Sequence, residues 1–163
     1  MYRTVRPFFY PDTSPPLTDL TSGLLHHRHL AIMSPSLYVV FCRPHYGNFQ
    51  HWALQLESDE SSIIFEVLGQ HPEFERSISY ADAEDCEGFI RKLYVGVLGD
   101  SDIQRIKNAV QSVPVDNETS EWDCQDYVLE ILDRLEEDYV LEEDDEDYQA
   151  AREELKSKRG AII

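Results

Sequence analysis

The stretch Trp122-Asp123-Cys124-Gln125-Asp126-Tyr127-Val128 decides how this chain is read. From Cys124 onward the apolar residues fall at Tyr127, Val128, Ile131, Leu132 and Leu135. That is the i, i+3, i+4, i+7, i+8 pattern of one buried helix face. Asp123 stands ready as the N-cap, which puts Cys124 in the first turn. A thiol there feels unpaired backbone N–H groups and the positive end of the helix dipole, and both favour thiolate over thiol. A nucleophilic cysteine also needs a base. The best candidate is His51, far upstream in His51-Trp52-Ala53-Leu54.

Strands precede that helix. Leu37-Tyr38-Val39-Val40-Phe41-Cys42 is an apolar, β-branched run that predicts a buried strand. A turn punctuated by Pro44 and Gly47 leads into a second strand, His51 to Glu57, whose alternation puts His51, Ala53 and Gln55 on one face and Trp52, Leu54 and Leu56 on the other. The polar cluster Ser58-Asp59-Glu60-Ser61 makes a hairpin to a third strand, Ser62 to Leu68. A short strand at Ile78 to Tyr80 and another at Leu93 to Leu98 follow, then a helix from about Asp102 to Gln111 that ends before Pro114. The expected fold class is α+β: an antiparallel sheet of about five strands packed with helices.

The flanks differ in composition. Residues 1–35 carry Pro7, Pro11, Pro15, Pro16 and Pro35 without periodicity, as a loosely structured arm would. His26-His27-Arg28-His29 within it reads more simply as a solvated basic turn than as a metal site, since no acidic or thiol ligand stands at matching spacing. Residues 36–140 make the domain. Residues 141–163 open on the acidic block Glu142-Glu143-Asp144-Asp145-Glu146-Asp147, expected as a solvated tail with a terminal polar helix from about Tyr148 to Lys158.

Charge and cysteine count restrict the function classes. The formal charge of -18 over 163 residues repels phosphate backbones, so nucleic acid is not an expected partner. The acidic tail could meet a basic protein partner, and an anionic surface attracts cationic or neutral substrates more readily than anionic ones. Cys42, Cys86 and Cys124 are odd in number and lack metal-ligand spacing. No signal-peptide-like segment or membrane-length apolar run is expected, and the reading is a reducing, cytoplasmic setting with free thiols. Cys42 and Cys86 head no helix and are expected to be structural.

Arg43-Pro44-x-Tyr46, then His51-Trp52-Ala53-Leu54, and later the Cys124-Gln125-x-Tyr127-Val128 helix resemble the circularly permuted NlpC-like papain superfamily. The nearest branch is the lecithin:retinol acyltransferase-like one, with its small fungal members. There an Arg-Pro strand leads to a His-Trp-Ala strand and the nucleophile lies C-terminal in an Asn-Cys-Glu-His-Phe-Val helix. The resemblance spans residues 37 to 135. It implies a permuted papain-like topology, Cys124 as nucleophile and His51 as base, with no metal and no organic cofactor. The third family position is a second histidine on the strand after His-Trp-Ala; Glu66 stands on that strand here, and His71 on the following turn is the alternative. Asp123 replaces the family's asparagine, and a carboxylate beside a thiol opposes its ionisation.

Trp122, Gln125, Tyr38 and Trp52 are the expected substrate contacts, although Trp122 is most simply a hydrophobic staple over the helix start. The function implied is a cysteine-dependent hydrolase or acyltransferase that forms a thioester at Cys124 from a small-molecule or peptide amide, ester or thioester. Two alternatives stay open: a non-catalytic protein-interaction module of the same fold, and a biosynthetic enzyme that reuses it for cyclisation or elimination. Taken singly, Cys124 fits a small buried core residue and His51 a satisfied core histidine.

Overall fold

Alternation along the strands settles which side of the sheet meets the helices. The computed structural model describes residues 33–44 and 47–160. The proline-rich arm up to residue 32, including the histidine cluster, lies outside the described residues, as does Tyr46 of the Arg-Pro turn. Strands β1 (Ser36–Cys42), β2 (His51–Glu57), β3 (Ser62–Leu68), β4 (Glu75–Ser79) and β5 (Phe89–Val97) form one five-stranded antiparallel sheet in the order β4-β3-β2-β1-β5. Helices α1 (Asp102–Ser112), α2 (Cys124–Glu137) and α3 (Glu146–Lys158) follow. The α+β class and the five strands are as the apolar pattern predicts.

One sheet face carries Leu37, Val39, Phe41, Trp52, Leu54, Leu56, Ile63, Phe65 and Val67, all buried in a single cluster with the apolar stripes of the three helices. The other face carries a smaller cluster of Val40, Ala53, Ile64 and Ala83, with Cys42 and Phe89 packed against it. This division leaves His51, Gln55 and Glu66 on the more polar face. Burying a Leu, Ile or Phe side chain contributes about 1.5–3 kcal/mol, so the helix-covered face dominates the stability.

Two strand boundaries depart from the sequence expectation. β4 starts at Glu75, not Ile78, and β5 starts at Phe89, not Leu93. The extra residues of β4 are Glu75, Arg76 and Ser77, and those of β5 include Arg91 and Lys92 after Phe89 and Ile90; the long basic side chains find partners on neighbouring strands and helices. Arg76 donates to Tyr127 Oη (2.9 Å) and to the carbonyl of Val113 (2.5 Å). The Arg91 guanidinium lies 4.2 Å from the Phe41 ring centroid, and Lys92 Nζ pairs with Glu57 at 2.5 Å and Glu84 at 3.0 Å. Hydropathy does not register such contacts.

The C-terminal segment is no solvated tail. Tyr148, Ala151 and Leu155, at i, i+3 and i+7 along α3, are buried in the main core, and α3 packs on β5. Tyr148 Oη donates to Glu136 at 2.8 Å, and Arg91 pairs with Glu154 at 2.5 Å. Residues 141–160 therefore belong to the domain that the sequence reading closed at residue 140. Three well-spaced core residues outweigh a run of acidic neighbours, because those acids lie on the turns and outer face where water solvates them.

Candidate functional site

Helix α2 begins where its sequence said it would, held by a complete set of local devices. Asp123 Oδ1 accepts from the Gln125 N–H at 2.7 Å, and Asp126 Oδ2 accepts from the Asp123 N–H at 3.1 Å, closing a capping box. Trp122, the residue before the cap, meets Tyr127 edge-on with ring centroids 6.1 Å apart, which is the hydrophobic staple. Trp122 also stacks edge-on against Phe74 and donates to Glu130 at 2.9 Å. It is a core side chain.

The same end of α2 is fastened to the sheet by Gln125. This residue is wholly buried; its Nε2 donates to the carbonyl of Gln50 at 2.8 Å, and its Oε1 accepts from Arg159 at 3.1 Å and from the Gly160 N–H at 2.8 Å. The hydrogen bonds it makes are structural, tying α2 to β2 and to the end of α3, and its complete burial corrects its reading as a substrate contact. The bond to Gln50 places the start of α2 beside the start of β2, so Cys124 and His51 come to one margin of the sheet.

At that margin His51 donates from Nε2 to Glu66 Oε2 at 2.8 Å, both side chains being less than one-fifth exposed. Of the two candidates for the third position, Glu66 is the one brought to the ring; His71 is exposed in the turn after β3 and makes no bond to His51. The antiparallel register explains this, because Gln55 opposite Ile64 sets Glu66 on the face of β2 that carries His51 and Ala53. Cys124, at the start of α2, is the other group acting on the ring. Burial opposes charge on His51, but hydrogen bonding to Cys124 and Glu66 and the negative charge of both outweigh it, and its pKa is pushed up to about 10.

Two further cysteines converge here. Cys42 is the direct cross-strand neighbour of His51, and burial, reinforced by Cys86, Glu66 and Cys124, pushes its thiol up to about 11. Cys86 reaches the same region because the Gly88 turn lies on Arg43: the Arg43 N–H donates to the Gly88 carbonyl at 2.8 Å, and Gly88 adopts φ +86°. A register shift between Phe41 and Cys42 on the β1–β5 pair bends the sheet at this point. All three cysteines are free.

Other expected contacts lie elsewhere. Trp52 is fully buried on the opposite face of β2 from His51, edge-on to Phe41, which removes it as a substrate contact. Alternation alone made that outcome legible. Tyr38 is four residues along β1 from Cys42, about 13 Å away, opposite Gln55 and stacked edge-on with Tyr94. It does not belong to the Cys124 margin. The residue that sequence reading missed is Arg159, just past α3. Its guanidinium donates to Asp126 through Nε (2.9 Å) and Nη2, to Asp123 at 3.4 Å, and to the Glu121 carbonyl at 3.3 Å. No local pattern near Arg159 points to a partner on α2.

Residues 37–142 match a family described as "Family of unknown function (DUF6540)". The chain belongs to that family. No curated protein and no solved structure matches it. The DUF6540 match contains His51, Glu66 and Cys124, whereas α3 and Arg159 lie C-terminal to it. Among the described residues of this DUF6540 protein there is no helix long and apolar enough to cross a membrane, and no cluster of side chains suited to a metal ion. Two surface cavities, one around Glu136, Tyr139 and Leu141 and one around Val113 and Pro114, are lined by none of His51, Glu66 or Cys124.

Proposed function

We propose that this protein is a cysteine-dependent hydrolase or acyltransferase of permuted papain-like (NlpC-like) topology, acting on an amide, ester or thioester in the cytoplasm. The observation that carries the reading is His51 held between the Glu66 carboxylate and the Cys124 thiol at a helix N-terminus. In the reaction the Cys124 sulfur attacks the acyl carbon, and the bond to the leaving group breaks. The leaving group takes the proton from the His51 imidazolium. Water or an amine, deprotonated by His51, then releases the acyl group from sulfur. The Cys124 backbone N–H, unpaired in the first turn, supplies a donor for the developing oxyanion. Glu66 keeps the ring oriented and charged.

The 2 % exposure of Cys124 favours a second reading, a non-catalytic interaction module whose thiol is a core residue. Incubation with an activated ester such as p-nitrophenyl acetate, followed by peptide mass spectrometry, separates the two. Acetylation of the Cys124 peptide and turnover that both vanish in Cys124→Ser and fall sharply in His51→Ala support the enzyme. A Cys124 that stays unmodified until the protein is denatured supports the module.

A further inference from the structure

Asp123 caps the helix directly before Cys124 and Asp126 follows one turn later, so two carboxylates flank the thiol, and a nearby negative charge disfavours a thiolate. Both carboxylates point at one guanidinium. Arg159 forks onto Asp126 with Nε and Nη2, and its Nη1 reaches Asp123 at 3.4 Å and Gln125 Oε1 at 3.1 Å. The contact is held from both sides, because the Gly160 N–H also donates to Gln125 at 2.8 Å. Arg159 is brought there by α3, whose Tyr148, Ala151 and Leu155 anchor it in the core.

We propose that Arg159 is a positioning residue for the Cys124 thiolate. It offsets one of the two negative charges of Asp123 and Asp126, so the start of α2 keeps its capping box while presenting less negative charge to the sulfur. This rests on the Cys124–His51 reading above. It assigns a function to the C-terminal helix, which lies beyond the family match: α3 is the strut that carries the counter-charge.

The charged and titratable groups around the sulfur are His51 from β2, Glu66 from β3 behind it, Cys42 from β1 with Cys86 beyond, Asp123 and Asp126 on its own helix, and Arg159. Burial works against the charge on Arg159. Hydrogen bonding to Asp126 and the negative charge of Asp123, Asp126 and Cys124 outweigh it and raise the guanidinium's pKa. The guanidinium is therefore a permanent charge at every working pH.

The test is the pH profile of iodoacetamide alkylation at Cys124, read by peptide mass spectrometry on the full chain. In Arg159→Gln the midpoint rises by about one pH unit, so that alkylation well below the midpoint slows about tenfold. Arg159→Lys recovers most of the loss. Asp123→Asn, which retains an N-cap oxygen, lowers the midpoint in a chain that keeps Arg159. The double variant Asp123→Asn/Arg159→Gln, which keeps the wild-type balance of one net negative charge, returns it close to the wild-type value. An unmoved midpoint in Arg159→Gln overturns the role of Arg159 while leaving the Cys124–His51 pair intact, provided His51→Ala still slows alkylation. A wild-type Cys124 that is inert in the folded protein overturns both. If Arg159→Gln fails to fold, Asp123→Asn/Arg159→Gln compared with Asp123→Asn decides: a higher midpoint in the double variant supports the role of Arg159, and an equal one overturns it.

Discussion

His51 Nε2 and Glu66 Oε2 are 2.8 Å apart on neighbouring strands, and that bond leaves Nδ1 as the ring nitrogen available to Cys124. A carboxylate on one side of the ring and a thiol on the other is what raises the imidazolium above its ordinary range against the effect of burial. Glu66→Gln keeps the shape and removes the charge. The expected outcome is a loss of Cys124 alkylation rate near neutral pH of about tenfold for each unit of imidazolium stabilisation lost. The thermal melting point should change little. Parallel alkylation and melting curves check this, and an unaltered rate would detach Glu66 from the site.

The His51 pKa also predicts the pH dependence of stability. A folded value of about 10 against an ordinary 6.5 means that the folded state binds the proton more tightly. The stabilisation is therefore complete below about pH 6.5 and is lost as pH rises through about 10. Urea denaturation of wild type and His51→Asn at closely spaced pH values isolates this contribution from other titrating groups. The stability gap between the two proteins should be widest near pH 6 and should narrow steadily toward pH 10.

Leu155 tests whether α3 belongs to the domain. It is completely buried in the main core, so Leu155→Ala should cost about 2–5 kcal/mol. A free tail would show no change. Chemical denaturation midpoints at constant m-value decide between them.

Gln125→Ala should behave as a folding variant. It strands the Gln50 carbonyl and the Gly160 N–H and removes one partner of Arg159, at a cost of about 1–3 kcal/mol for buried groups left unpaired. Wild-type-like melting combined with weakened binding of an acyl substrate would instead restore Gln125 as a substrate contact.

Several features of this site could be read from residues alone. The start of α2 was legible because capping and amphipathic spacing are local: Asp123, Asp126 and the Tyr127-to-Leu135 stripe lie within a few turns of one another. Strand alternation likewise put His51 and Trp52 on opposite faces, and Trp52 could have been set aside as a substrate contact on that ground. Glu66 was a candidate by its oddity, a carboxylate among Ile, Phe and Val, but only the β2–β3 register turns it toward His51.

Arg159 and Cys42 stayed silent for different reasons. Cys42 and His51 are the two ends of one hairpin pairing, so a register assignment would have joined them. Arg159 is separated from Asp126 by 33 positions and follows a helix whose acidic lead-in resembles a solvated segment. Local periodicity and turn chemistry act over a few residues and are written in the chain: the elements, their buried faces and the cysteine at a capped helix start. Which charges meet at that cysteine is a long-range outcome, set by sheet register and by the docking of α3 on β5, because Coulomb forces and hydrogen bonds depend on distance in space and are indifferent to distance along the chain.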